Sequence, residues 1–295
     1  MARVLLVAAT TGYQLRSYDA AARQAGVELL LASDRCHVLD DPWRDGAIPV
    51  KFDGAASEAA AVRAVRERAA AGPIDAVLAV GDRPAVVAAA IAATLGLRGH
   101  PPPAARAASN KLSTRRCFRA KGLPGPWFRL LAPGQPAAAG QAPDMTFPCV
   151  VKPLSMAASQ GVVRADTRAA LAAAVERVRR LGARASPPLE VLVEGYIPGR
   201  EVALEGILTA GRLQVLAIFD KPEPLEGPFF EETIYVAPGG GADTRSIAGA
   251  VQRAVTALGL TDGPIHAECR INAEGVFVLE VAARPIGGLC SRVLR

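Results

Sequence analysis

The sequence predicts an α/β chain of about two domains, a parallel sheet first and a mixed α+β domain after it. Three observations carry this. Short apolar runs alternate with helical patterns from residue 1 to about 100, and "GHPPPAA" then breaks the alternation. From "FPCVVKP" onward strands and helices resume, with glycines and charges where a plain core would not place them. At 295 residues and 51% hydrophobic content, each domain can bury a core of its own.

The elements follow in order. "RVLLVAA", "VELLLAS" and "IDAVLAV" are buried strands. Between and after them, "SYDAAARQAG" closes on Gly26, and "EAAAVRAVRERAAAG" and "RPAVVAAAIAATLG" are helices. Alternation of this kind implies a parallel sheet. The loop "TTGY" lacks the full G-x-G-x-x-G pattern, so a dinucleotide site there is a weak expectation. One short helix is expected from Ala104 to Lys121, ended by "KGLPGP", and "LLAPGQPAAAGQAPDM" is expected to be loop.

The net charge of +6 is spread along the chain rather than gathered, and aromatic residues are only 5%, which argues against a nucleic-acid surface and favours a small polyanionic ligand. The longest apolar stretch, Ala85 to Leu97, is shorter than the roughly 18 residues a membrane span needs. The apolar run Val4 to Ala9 is too short for a signal sequence. Five dispersed cysteines without C-x-x-C spacing point to reduced thiols in a cytoplasm. Of 34 basic residues only Lys51, Lys111, Lys121, Lys152 and Lys221 are lysines. A compact ammonium is not interchangeable with a guanidinium, so these positions are candidates for specific work.

The segment "IHAECRINAEGVFVLEVAAR" reads as a hairpin. A three-residue loop with Gly275 in the left-handed position pairs Asn272 with Val276, and the same register makes Glu268 and Glu280 cross-strand neighbours. Alternation then puts Ile265, Ala267, Cys269, Ile271, Phe277, Leu279 and Val281 on an apolar face. His266, Glu268, Arg270, Glu280 and Ala282 share the other, with Arg284 following on the same parity. Opposed β-carbons lie about 4.5–5.5 Å apart, where like charges repel. Either the two carboxylates are solvated beside Arg270, or a hard divalent cation sits between them together with substrate phosphates.

Four segments in order now resemble an ATP-grasp ligase, from roughly Ala104 to the end: "SNKLSTRRCFRAKGLPGP", "FPCVVKPLSMAASQGV", "VLVEGYIPGREVALEG" and "ECRINAEGVFVLEVAARPIGG". The resemblance implies an N-terminal Rossmann-like domain over residues 1–103 and an α+β ATP-grasp domain over 104–295, with a mobile lid at roughly 113–190. It implies that Lys111 and Lys152 bind ATP phosphates and that Ser155, Ser159 and Gly161 belong to a loop closing over them. Methionine and alanines replace glycines common in that loop. Glu194 would begin the hinge, the backbone at about Gly195, Tyr196 and Ile197 would receive adenine, and Glu201 would hold the ribose. Glu268 and Glu280 would ligate Mg²⁺, or Mn²⁺ in its place, and Arg284 would stabilise the transferred phosphoryl group. Ala282 stands where many members have asparagine.

Lys221 and the pair Glu231–Glu232 fall in a segment similar to the acceptor region of carboxylate–amine ligases, including L-amino-acid ligases, and more distantly of biotin carboxylase; a plain proline-rich loop is the alternative. His266 either faces the active site or completes a polar sheet face. Such ligases usually continue for about a domain's worth of chain beyond "CSRVLR", so a fragment or an unusually short member is expected. The implied activity is ATP-dependent formation of an acyl phosphate and its capture by an amine. The substrates would be small molecules, with neither nucleic acid nor membrane as partner, and a homodimer is compatible. Bicarbonate activation and a non-catalytic ATP-binding module are the alternatives.

Overall fold

The computed structural model describes residues 1–9, 14–34, 46–70, 72–136, 145–156, 159–182, 189–222, 226–230, 234–287 and 290. The expected parallel sheet forms from β1 (Arg3–Ala8), β2 (Glu28–Ser33), β3 (Ile48–Pro49) and β4 (Ala76–Val80), in the order β3-β2-β1-β4. Its helices are α1 (Leu15–Ala25), α2 (Ala55–Ala69) and α3 (Asp82–Thr94). Leu5 and Val7 pack with Val65 of α2 and Ile91 of α3, whereas Leu6 and Ala8 meet Leu15 and Tyr18 of α1. Burial on both faces is why these strands read as continuous apolar runs. Strand β3 was not expected, because two residues are too few to show a period.

The single helix expected from Ala104 to Lys121 is two helices, α4 (Pro102–Ala108) and α5 (Lys111–Ala120). Asn110 between them is extended, and its side-chain oxygen accepts from the Ser113 N–H at 3.0 Å. This is an N-cap, and it starts a new helix where the alanine-rich pattern alone would have continued the old one.

A second sheet holds β5 (Phe128–Leu131), β6 (Cys149–Pro153), β7 (Val163–Ala165) and β8 (Val191–Gly195), in the antiparallel order β5-β8-β6-β7, with α6 (Arg168–Leu181) packed on it. Leu130 and Leu131, expected in a loop, belong to β5 because they pair with Leu192 and Val191.

The third sheet has the order β10-β9-β11-β12, from β9 (Arg200–Thr209), β10 (Arg212–Lys221), β11 (Gly263–Asn272) and β12 (Gly275–Ala282). Helix α7 (Thr244–Leu258) covers it, burying Ile247, Ala250, Val251, Ala254, Val255 and Leu258, a stripe at helical spacing.

The hairpin β11–β12 reaches the expected pairing by another route. Asn272 pairs with Gly275 across a two-residue turn, and a bulge then inserts Leu279 between the Cys269–Val278 and Glu268–Glu280 pairs. The tighter turn shifts the register by one, and the bulge shifts it back. Val278, 5% exposed, therefore takes the core position expected of Phe277 and Leu279, which are only partly buried.

Candidate active site

Lys152 of β6 and Glu194 of β8 are buried side by side and hydrogen-bonded. Arg115 of α5 grips the same carboxylate, Nε to Oε2 at 2.8 Å and Nη2 to Oε1 at 3.0 Å. Burial alone would raise the Glu194 carboxyl, but the charges of Arg115 and Lys152 outweigh it and hold the group down at about 2. Burial is also the largest influence on Lys152 and lowers its ammonium from the usual value, with Glu194 opposing.

Lys111, the first residue of α5, donates from Nζ to the Met156 carbonyl at 2.7 Å and lies 3.4 Å from Glu280 Oε2. This joins α5 to the segment after β6 and to β12. Ser155 in that segment is exposed, and Ser159 and Gly161 lie in a turn with φ of 53° and 74°. In the hinge after β8, Gly195 N–H donates to Trp127 O at 3.0 Å and Tyr196 N–H to Pro148 O at 3.1 Å. Ile197 O accepts from Arg270 Nη1 at 2.8 Å. Three backbone groups of the expected adenine contact thus already have protein partners.

Glu201 is buried between two cations, with Lys221 Nζ 2.8 Å from Oε1 and Arg270 Nε 2.9 Å from Oε2. Lys221 also lies 3.2 Å from Glu268 Oε1. It is buried in the sheet rather than carried on an open loop. Glu231 and Glu232 lie outside the described residues.

His266 is buried on the side of the carboxylates. Nδ1 meets Glu205 Oε1 at 2.5 Å and Nε2 lies 3.5 Å from Glu268 Oε1. Burial would lower its pKa, but hydrogen bonds and charges from Glu205 and Glu268 push it up to about 9, so the ring is an imidazolium at neutral pH. Glu205 also accepts from the Ile286 N–H at 2.9 Å. Arg284 contacts Asp82, at the start of α3, with Nε–Oδ1 at 2.8 Å.

Glu268 and Glu280 are direct cross-strand neighbours, with side chains 20% and 29% exposed. Among the described residues no group of three or more His, Cys, Asp or Glu is disposed to hold a metal. Two carboxylates beside the ammonium groups of Lys221 and Lys111, which suit phosphate oxygens, do match Mg²⁺ chemistry, which takes one or two protein carboxylates and completes its shell from phosphate and water. The donor set therefore fits such an ion when a nucleotide is present.

Sequence reasoning missed Arg115, Asp82 and Glu205. Arg115 had a signal, lying four residues after Lys111 on the same helix face. Glu205 shares strand parity with Glu201.

Residues 145–293 match the ATP-grasp domain, and residues 18–99 match the ATP-grasp N-terminal domain. The chain belongs to the ATP-grasp family. A D-alanine–D-alanine ligase of Synechococcus sp. (strain JA-3-3Ab) is 30% identical over 205 residues, 65% of this chain and 60% of that protein. The ATP-grasp chain thus spans less than two thirds of that relative's length. An L-amino acid ligase from Bacillus licheniformis superposes with a TM-score of 0.77 at 29% identity, covering 98% of this chain and 68% of the other. A biotin carboxylase from Campylobacter jejuni, at 16% identity and TM-score 0.70 over 97% of this chain and 66% of that one, shares the fold alone.

Proposed function

We propose that this ATP-grasp chain is an ATP- and Mg²⁺-dependent carboxylate–amine ligase acting on amino-acid or peptide-like substrates. One observation carries the proposal: Glu268 and Glu280 face each other beside Lys221 and Lys111, a polar centre that suits a phosphate-rich ligand and its cation. The resemblance to the L-amino acid ligase from Bacillus licheniformis and to D-alanine–D-alanine ligases supports the same substrate class.

In the reaction, a carboxylate oxygen of the first substrate attacks the γ-phosphorus of ATP, and ADP leaves. The amine nitrogen of the second substrate attacks the acyl carbon, inorganic phosphate departs, and the nitrogen loses a proton to give the amide. Lys111 and Lys152 would hold phosphate oxygens, with Ser155, Ser159 and Gly161 in the closing loop. The hinge at Glu194 to Ile197 would seat adenine, and Glu201 would seat the ribose. Glu268 and Glu280 would hold Mg²⁺ or Mn²⁺, which when bound neutralises phosphate charge. Arg284 would stabilise the transferred group, and Lys221 would orient the two carboxylates it touches. A boundary near residue 103, a lid at about 113–190 and a cytoplasmic setting belong to the same proposal.

The test is ATP-dependent phosphate release from the full chain against amino-acid pairs, with the product identified by mass. A dipeptide formed with one ADP per bond, and lost in Glu280→Gln, supports the ligase. ATP binding without turnover on any pair would leave a nucleotide-binding module instead.

A further inference from the structure

A residue from outside the hairpin meets its bulge. Arg115 is 3% exposed. While Nε and Nη2 hold both oxygens of Glu194, Nη1 donates to the carbonyl of Leu279 at 2.8 Å. Leu279 is the residue that the bulge inserts immediately before Glu280. A bulge leaves its extra residue outside the ladder, and a partly buried carbonyl kept from water still needs a donor. The guanidinium supplies that donor. Its planar fork can serve a carboxylate along one edge and a carbonyl at the remaining nitrogen, which a lysine ammonium cannot do with the same geometry.

We infer that Arg115 is a positioning residue that ties the nucleotide hinge to the carboxylate pair: it fastens Glu194 on one side and the bulged Leu279 on the other, keeping Glu280 opposite Glu268. Without the bulge, the two-residue turn would place Glu280 one position out of register and on the other face of the strand. Nucleotide binding at the hinge and cation binding at the hairpin are then coupled through one side chain. The inference rests on the proposed roles of Glu194 in nucleotide binding and of Glu268 and Glu280 as metal ligands.

The experiment titrates Mn²⁺ into the full chain, followed by electron paramagnetic resonance, at saturating non-hydrolysable ATP analogue. Arg115→Lys is expected to weaken Mn²⁺ binding about tenfold or more, the usual effect of losing a partner that orients a ligand. Its kcat is expected to fall more than its KM for ATP rises. A structural role alone would lower the unfolding temperature while the folded protein bound Mn²⁺ as the wild type does, and that result overturns the inference. If Arg115→Lys fails to fold, Glu194→Gln loosens the same guanidinium from the hinge side. Weaker Mn²⁺ binding in it supports the coupling, and unchanged binding overturns it. Glu280→Gln separates the two levels. Wild-type Mn²⁺ affinity in Arg115→Lys, with affinity lost in Glu280→Gln, removes the inference and leaves the ligase proposal standing. Absence of Mn²⁺ binding by the wild type removes the metal assignment and the inference with it.

Discussion

Arg284 and Asp82, 202 positions apart, share two contacts, Nε–Oδ1 at 2.8 Å and Nη2–Oδ2 at 3.3 Å. The pair joins the start of α3, beside the parallel sheet, to the segment that follows β12. Burial would lower the Arg284 guanidinium, but Asp82, with Glu280 and Glu205 beyond it, outweighs that and raises its pKa, so it is held as a cation. A fork matched to a carboxylate fixes direction as well as charge. Asp82→Asn keeps the shape but weakens the grip. If Arg284 acts on the transferred phosphoryl group, turnover is expected to fall by about 100-fold, the scale of a misplaced catalytic group. The KM for ATP should change little. Steady-state kinetics of phosphate release checks both.

Glu194 sets an acid limb of stability. Its folded carboxyl titrates at about 2 against an ordinary 4.5, so the folded state binds the proton less readily than the unfolded chain. The contribution is fully present above the ordinary value and disappears as pH falls toward about 2. Unfolding temperature should drop through this window, and Glu194→Gln should drop less steeply there because it has no carboxylate to protonate. Calorimetry from pH 6 down to about 2 is expected to show the two curves converging, and parallel curves would contradict it.

Gly199 lies between Glu194 and Glu201, with φ of +126° and the Ile271 carbonyl oxygen only 2.2 Å from where a β-carbon would stand. Backbone sits on both sides of that contact, so neither can yield easily. Gly199→Ala is expected to cost about 3 kcal/mol, from strain and overpacking together. Urea unfolding measures it, and a midpoint equal to the wild type would contradict the geometry.

The thiols of Cys149 and Cys269 are buried, and burial is the main reason both titrate high, Cys149 at about 11. Since the thiolate is the nucleophile, neither should alkylate in the folded chain at pH 8. Peptide mass mapping after iodoacetamide treatment, before and after unfolding, checks this. Modification of Cys269 in the folded state would mean that the core of the third sheet opens.

The hairpin shows how much of the site was legible and where legibility stopped. The two glutamates and a turn near Gly275 were enough to foresee that Glu268 faces Glu280. The turn is nevertheless one residue tighter, and the bulged Leu279 makes up the difference, with Val278 filling the core and Arg115 donating to the Leu279 carbonyl. The break at Asn110 and the strand β5 lay beyond that reach, since one helix was expected across Asn110 and β5 became a strand only through its pairing with β8.

From sequence alone came the parallel first sheet, the hairpin and the lysines retained in an arginine-rich chain. Each depends on patterns within a short window: burial on both faces, period two, and side-chain type. Only the tertiary structure decided which opposite charges meet in the site. Arg115 meets Glu194 across 79 positions, Glu205 meets His266 across 61, and Asp82 meets Arg284 across 202. A buried charge must find a partner, but the partner is chosen by how the sheets and helices pack, and no local period records that.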